Sequence, residues 1–157
     1  MLRFAPTPLY MRGIIAVLIG IAGALVMLAI DLVEPHMVGS DIALAVLMAF
    51  LGAFLGGFLT APLFGQSAPG AVFLACLGAL LATTIGAALG GLMFGVAAVL
   101  IDGSFGMIGD VLVISLMAVV VVGTLIATTA VGLIWLPAMG AIHLLGRYVL
   151  RRLVQGT

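Results

Sequence analysis

The chain has 157 residues, with five Arg, no Lys, five acidic residues and zero net charge. Hydrophobic types make up 66% of it and charged types 6%, for a mean hydropathy of +1.51, where soluble domains run about 45–50% apolar and about 25% charged. This balance excludes a soluble globule, whose exterior would be greasy, a disordered chain, and any basic face for nucleic acid.

The sequence therefore reads as an all-α integral membrane protein. A spanning helix needs about 20 apolar residues. Span one covers 13–30 and ends at Asp31, Glu34 and Pro35. It has the basic start of a cleaved signal peptide, but its core is long and no small-x-small site precedes Asp31, so it is expected to be retained. Span two covers 42–61 and ends at Pro62; span three follows Pro69-Gly70 and covers 71–101; span four covers 111–136 and ends at Pro137. An ionised side chain at mid-bilayer costs roughly 2.5–3.5 kcal/mol, which is why the charges gather at the ends of these stretches.

The charges also set an orientation. All five Arg lie outside the first and last spans: Arg3 and Arg12 before, Arg147, Arg151 and Arg152 after. The acids occupy two connections, with Asp31, Glu34 and Asp41 in one and Asp102 and Asp110 in the other. By the positive-inside rule both termini are cytoplasmic, which requires an even number of spans. Arg12, Trp135, Arg147, Tyr148, Arg151 and Arg152 are the expected anchors at the inner interface. The use of Arg without Lys points to a GC-rich bacterial genome, hence an inner membrane and periplasmic acidic loops.

A possible duplication links the two halves. Ile30-Asp31, Met37-Val38-Gly39, Asp41-Ile42 and Leu47-Met48-Ala49 recur in order as Ile101-Asp102, Met107-Ile108-Gly109, Asp110-Val111 and Leu116-Met117-Ala118, with Gly20 and Gly91 at one offset before the first Asp. The expected architecture is a four-helix bundle of two parallel hairpins. The competing explanation is that short turns converge on Asp and Gly.

Small residues mark the expected helix contacts, because lipid supplies no hydrophobic drive for association. Gly78, Ala82, Gly86 and Gly90 recur every fourth residue in span three, and Gly52 and Gly56 do so in span two. They serve either bundle packing or a partner interface. Span three is also over-long, so it either projects into water or breaks, and Gly90-Gly91 is the natural place for a break. After Pro137, His143, Arg147 and Arg151 form one polar stripe, so 138–154 reads as an amphipathic helix lying at the inner interface.

Chemistry is sparse. His36 and His143 fall on opposite sides of the membrane, so no histidine pair holds a haem. The lone Cys76 reads as a small buried packing residue. Nucleophile–base sets and phosphate loops are missing, and no charge sits at mid-membrane. The acidic set Asp31, Glu34, His36, Asp41, Asp102 and Asp110 has no recognisable metal-ligand spacing; Asp41 and Asp110 are placed to cap spans two and four. No catalytic residue, metal or cofactor is expected. The function expected on this inventory is a non-catalytic accessory, assembly or scaffold subunit of a larger inner-membrane complex, with lipids and other membrane subunits, or itself, as partners. The alternatives are a small oligomeric transporter or channel subunit, and a membrane enzyme acting on lipid or quinone through the acidic loops.

Overall fold

The computed structural model describes residues 7–33, 42–66, 70–102 and 108–155. These residues contain helices and turns and no strand. Five helices follow one another: α1 (Leu9–Val33), α2 (Ile42–Thr60), α3 (Ala71–Asp102), α4 (Ile108–Thr128) and α5 (Val131–Gln155). A 3-10 turn, Ala61–Leu63, closes α2. The first four helices carry apolar stretches long enough to cross a membrane, over Leu9–Leu32, Ile42–Leu63, Ala71–Ile101 and Gly109–Thr128.

These four helices do not close into a bundle. α1 packs on α2, α2 on α3 and α3 on α4, while α5 touches α1, α4 and, more sparsely, α3. The result is an open arc, α1–α2–α3–α4, with α5 bridging its two outer members. The four membrane-length helices expected from the sequence are present in this arrangement. The physical reason lies in the side chains. Glycine and alanine let α2 and α3 approach closely, whereas α1 and α4 turn Met27, Ile30, Val113 and Met117 toward the space between them.

The α2–α3 seam is set by backbone contact. A Cβ on Gly52 would lie 2.3 Å from the Gly86 carbonyl oxygen, and one on Gly56 would lie 2.6 Å from that of Ala82. Gly90 approaches the Met48 carbonyl. α3 runs unbroken for 32 residues through Gly90-Gly91, so the expected break there is absent. Gly90 meets α2, and its neighbour Gly91 meets Ser115 and Ala118 of α4. The two glycines therefore admit close neighbours on adjacent faces rather than bending the helix.

The break falls elsewhere. Span four was expected to run to Leu136, but α4 stops at Thr128 and α5 begins at Val131. At Thr129 the side chain bridges the gap: Oγ1 donates to the Leu125 carbonyl and accepts from the Val131 N–H. That pairing satisfies the Val131 N–H within the apolar stretch, and the Thr129 and Ala130 carbonyls accept from Gly132 and Leu133. The turn is tight enough that a Cβ on Gly132 would lie 2.2 Å from the Ile126 carbonyl oxygen. Pro137 then sits inside α5 instead of opening a new helix, so the expected surface segment 138–154 is the greater part of a longer helix.

The core lies where α5 meets α1 and the α2–α3 connection. Phe64 is wholly buried and belongs to the same buried cluster as Ile15, Val131, Trp135, Met139 and Ile142. Gly65 turns the chain in the left-handed region at φ +75°, a conformation glycine adopts without a Cβ penalty.

Candidate functional site

Between α1 and α4 lies an apolar cleft with a volume of about 400 Å³. Ile19, Val26, Met27 and Ile30 form the α1 wall, and Val113, Ile114, Met117 and Val121 form the α4 wall. The floor is the α2–α3 seam, with Ala45, Ala49 and Ala53 on one side and Ala82, Gly86 and Gly90 on the other. Trp135 and Met139 of α5 make the foot. Three residues of the predicted small-residue stripe thus both face α2 and shape this floor. Gly78, the fourth, lies against Leu63 and Phe64.

Thr83 and Trp135 are the two lining residues with polar side-chain atoms. The Trp135 indole N–H donates to Thr83 Oγ1 at 3.0 Å, and the Thr83 hydroxyl donates to the Ala79 carbonyl at 2.8 Å. Both groups are therefore satisfied by the protein itself. A cleft with so few free polar partners does not hold ordered water. Four methionines, Met27, Met48, Met117 and Met139, line it and give it an adaptable surface.

A second polar contact sits at the core near the start of α1. The Gly65 N–H donates to His143 Nδ1 at 3.2 Å. The imidazole is buried. Burial and, secondarily, the neighbouring Arg147 hold its pKa below the usual histidine value. A Cβ on Gly146, one residue before Arg147, would lie within van der Waals distance of Gly65 and Ile15. His143 thus faces the protein, although sequence periodicity grouped it with Arg147 and Arg151 in one stripe. The nitrogen Nε of both Arg12 and Arg147 is buried without a hydrogen-bond partner.

The other sequence-predicted residues distribute as follows. Arg151, Arg152 and Tyr148 are exposed, and the Arg152 guanidinium lies 4.8 Å from the Tyr148 ring centroid, within cation–π range. Trp135 is only 8% exposed, its ring packed within the helix array. Asp110 lies within the first turn of α4 and is exposed; it faces the positive helix end from inside that turn rather than capping it from before. Asp31 lies in the last turn of α1, and Asp102 is the last residue of α3. Glu34, His36 and Asp41 lie outside the described residues. Among the described residues no three His, Cys, Asp or Glu side chains converge to hold a metal. Cys76, expected to be buried, is exposed.

Comparison with known proteins identifies no relative. No protein-family model, curated protein or solved structure matches the chain. The functional reading therefore rests on the geometry alone. The cleft was not legible as a site in the sequence, because its lining residues are common membrane-helix types drawn from five helices. Its one local signal is the small-residue spacing of the floor.

Proposed function

We propose that the chain is a non-catalytic subunit of a larger membrane complex, seated in a bacterial inner membrane with both ends in the cytoplasm. The supporting observation is the unequal burial of its apolar helices. Only 6% of the most apolar stretch of α4 is buried, against 39% for α1 and 33% for α3. α4 touches α3 through Gly91, Gly95 and the Ser115–Ala88 hydrogen bond of 2.8 Å. Its outer face, with Leu116 and Val120 exposed by 69% and 60%, has no counterpart helix among the described residues. Association between membrane helices depends on close packing, and that face is the one a second membrane protein covers in this reading. The segregation of Arg and acids along the sequence supports the orientation.

A photo-crosslinking amino acid at Leu116 or Val120, activated in native membranes, tests the reading. Discrete protein adducts are expected there and not at Leu28 or Leu80, which are exposed on α1 and α3. Adducts with lipid alone at all four positions overturn it. Tags at the two chain ends test the orientation: protection of one end and not the other in sealed inverted vesicles contradicts it.

The unwound Thr129–Ala130 joint favours a second reading, a small transporter subunit working as an oligomer, since interrupted helices commonly line transport sites. Solute flux in proteoliposomes separates the two readings.

A further inference from the structure

We infer that the start of α1 and the end of α5 form a site for one phosphate group, held by Thr7, Arg12 and Arg147 and presented by a lipid headgroup or a soluble phosphate. The inference depends neither on the partner proposed for α4 nor on which side of the membrane this end faces.

Among the described residues, three buried side-chain atoms lack a hydrogen-bond partner: Thr7 Oγ1, Arg12 Nε and Arg147 Nε. Packing brings all three to one end of the molecule. Ile19 meets a Cβ built on Gly57, and Ala53 meets one built on Gly23, so α1 and α2 run antiparallel. The start of α1 therefore lies beside the α2–α3 connection, whose 3-10 turn it contacts. A Cβ on Gly146 of α5 would lie 3.4 Å from Gly65 in that connection and 3.8 Å from Ile15 of α1. Ascending α1 from Ile15 and descending α5 from Gly146, residues 18–26 and 142–134 line one shared hollow, so these helices are antiparallel too. That register places Arg12 and Arg147 within about 3 Å of each other along the helix axes, beside the Gly65 turn. Thr7 stands two residues before α1 and is only 7% exposed.

The missing partner is an acceptor with negative charge. An arginine Nε–H can only donate, and the threonine hydroxyl can donate as well. The start of α1 adds two donors. Its first backbone bonds run from Met11 and Arg12 to the Pro8 carbonyl, which leaves the Leu9 and Tyr10 N–H groups without an intrahelical acceptor. The first turn of α1 has no acidic residue to face its positive end. The chain's own carboxylates stand elsewhere. Acidic residues occur in the sequence only at 31–41 and 102–110, and Asp31 is about 28 Å along α1 from Arg12 at 1.5 Å per residue. A phosphate group supplies charge and several oxygens at once, and pairs with guanidinium groups and helix starts alike. The setting agrees, because the apolar stretch of α1 begins at Leu9, and a span end lies at the level of lipid headgroups.

The test uses the full chain, isotope-labelled in its arginine nitrogens, in an uncharged detergent without phosphate. The probes are dihexanoyl phosphatidate, inorganic phosphate and dihexanoylglycerol, which lacks the phosphate. Either phosphate probe is expected to shift the Nε–H resonances of Arg12 and Arg147 saturably and to leave those of the exposed Arg151 and Arg152 in place. Arg12→Gln and Arg147→Gln are each expected to weaken binding at least about tenfold, and Arg151→Gln by less than about twofold. Tighter binding of phosphatidate than of inorganic phosphate assigns the site to a lipid headgroup; equal or weaker binding assigns it to a soluble phosphate. The resonances of the unaltered chain decide the question even if a variant folds poorly. Failure of both phosphate probes to bind saturably overturns the proposal. So do equal shifts at Arg151 and Arg152, which mark diffuse attraction of anions to positive charge, and equal shifts with dihexanoylglycerol.

Discussion

The indole N–H of Trp135 donates to the hydroxyl of Thr83, joining α5 to α3 at 3.0 Å. This bond ties the foot of the cleft to its floor. It also explains why a tryptophan near the end of an apolar stretch is drawn inside the helix array. Trp135→Phe removes the donor and also shrinks the ring, so the coupling between positions 135 and 83, rather than the single loss, reports the bond. A coupling of about 0.6–1.7 kcal/mol is expected, the range measured for hydrogen bonds between membrane helices. Equilibrium unfolding of Trp135→Phe, Thr83→Val and the double variant measures the coupling; additive losses contradict the bond.

The glycines divide into two groups with opposite expected responses to alanine. Gly52→Ala places a methyl group 2.3 Å from a backbone oxygen of α3, where neither helix yields without parting the seam. A loss of about 1–3 kcal/mol is expected, as for overpacking. Gly140 has nothing within 4 Å of a built Cβ, so Gly140→Ala gains up to about 1 kcal/mol from helix propensity. Thermal unfolding in detergent should move the two midpoints in opposite directions.

His143 confers a pH dependence. Its folded-state pKa is lowered, so the unfolded chain binds its proton more readily. The stabilising contribution is complete above the unfolded value of about 6.5 and is lost as pH falls from there through the folded value. Protonation also removes the Nδ1 lone pair that accepts from the Gly65 N–H. Unfolding midpoints measured between pH 8 and pH 5 should fall more steeply for the unaltered chain than for His143→Ala. Equal slopes would show that this imidazole does not couple folding to protonation.

The joint between α4 and α5 depends on one hydroxyl. Thr129→Ala removes both its bond to the Leu125 carbonyl and its acceptance from the Val131 N–H. A loss of about 1 kcal/mol is expected, comparable with removal of a helix N-cap. Hydrogen exchange at Val131 should accelerate in this variant. Thr128→Ala, which loses only an exposed bond to the Thr124 carbonyl within α4, is the comparison and should leave that exchange rate unchanged.

The helices legible in the sequence were those whose ends carry charge or proline. Asp31, Pro62 and Pro69-Gly70 flank α1, α2 and α3 closely. The fourfold spacing of Gly78, Ala82, Gly86 and Gly90 is a pattern that one helix face displays by itself, and three of its members pack against α2. The Thr129–Ala130 break was hidden because it uses neither proline nor a glycine pair. Pro137, the stronger local signal, sits inside a helix whose surroundings tolerate it. Hydropathy likewise gave no sign of the open arc. Whether two outer helices meet depends on side-chain bulk across a gap, which periodicity along one helix does not encode.

The α2–α3 contact has a consequence for how the protein comes apart. Two main chains pressed together at Gly52, Gly56 and Gly90 leave no slack, whereas α4 has fewer such approaches, at Gly91 and Gly95, and α5 is held more sparsely still. Force applied from the C-terminal end should therefore draw out α5 and then α4 in separate low-force steps. The middle pair should resist until it yields as one unit.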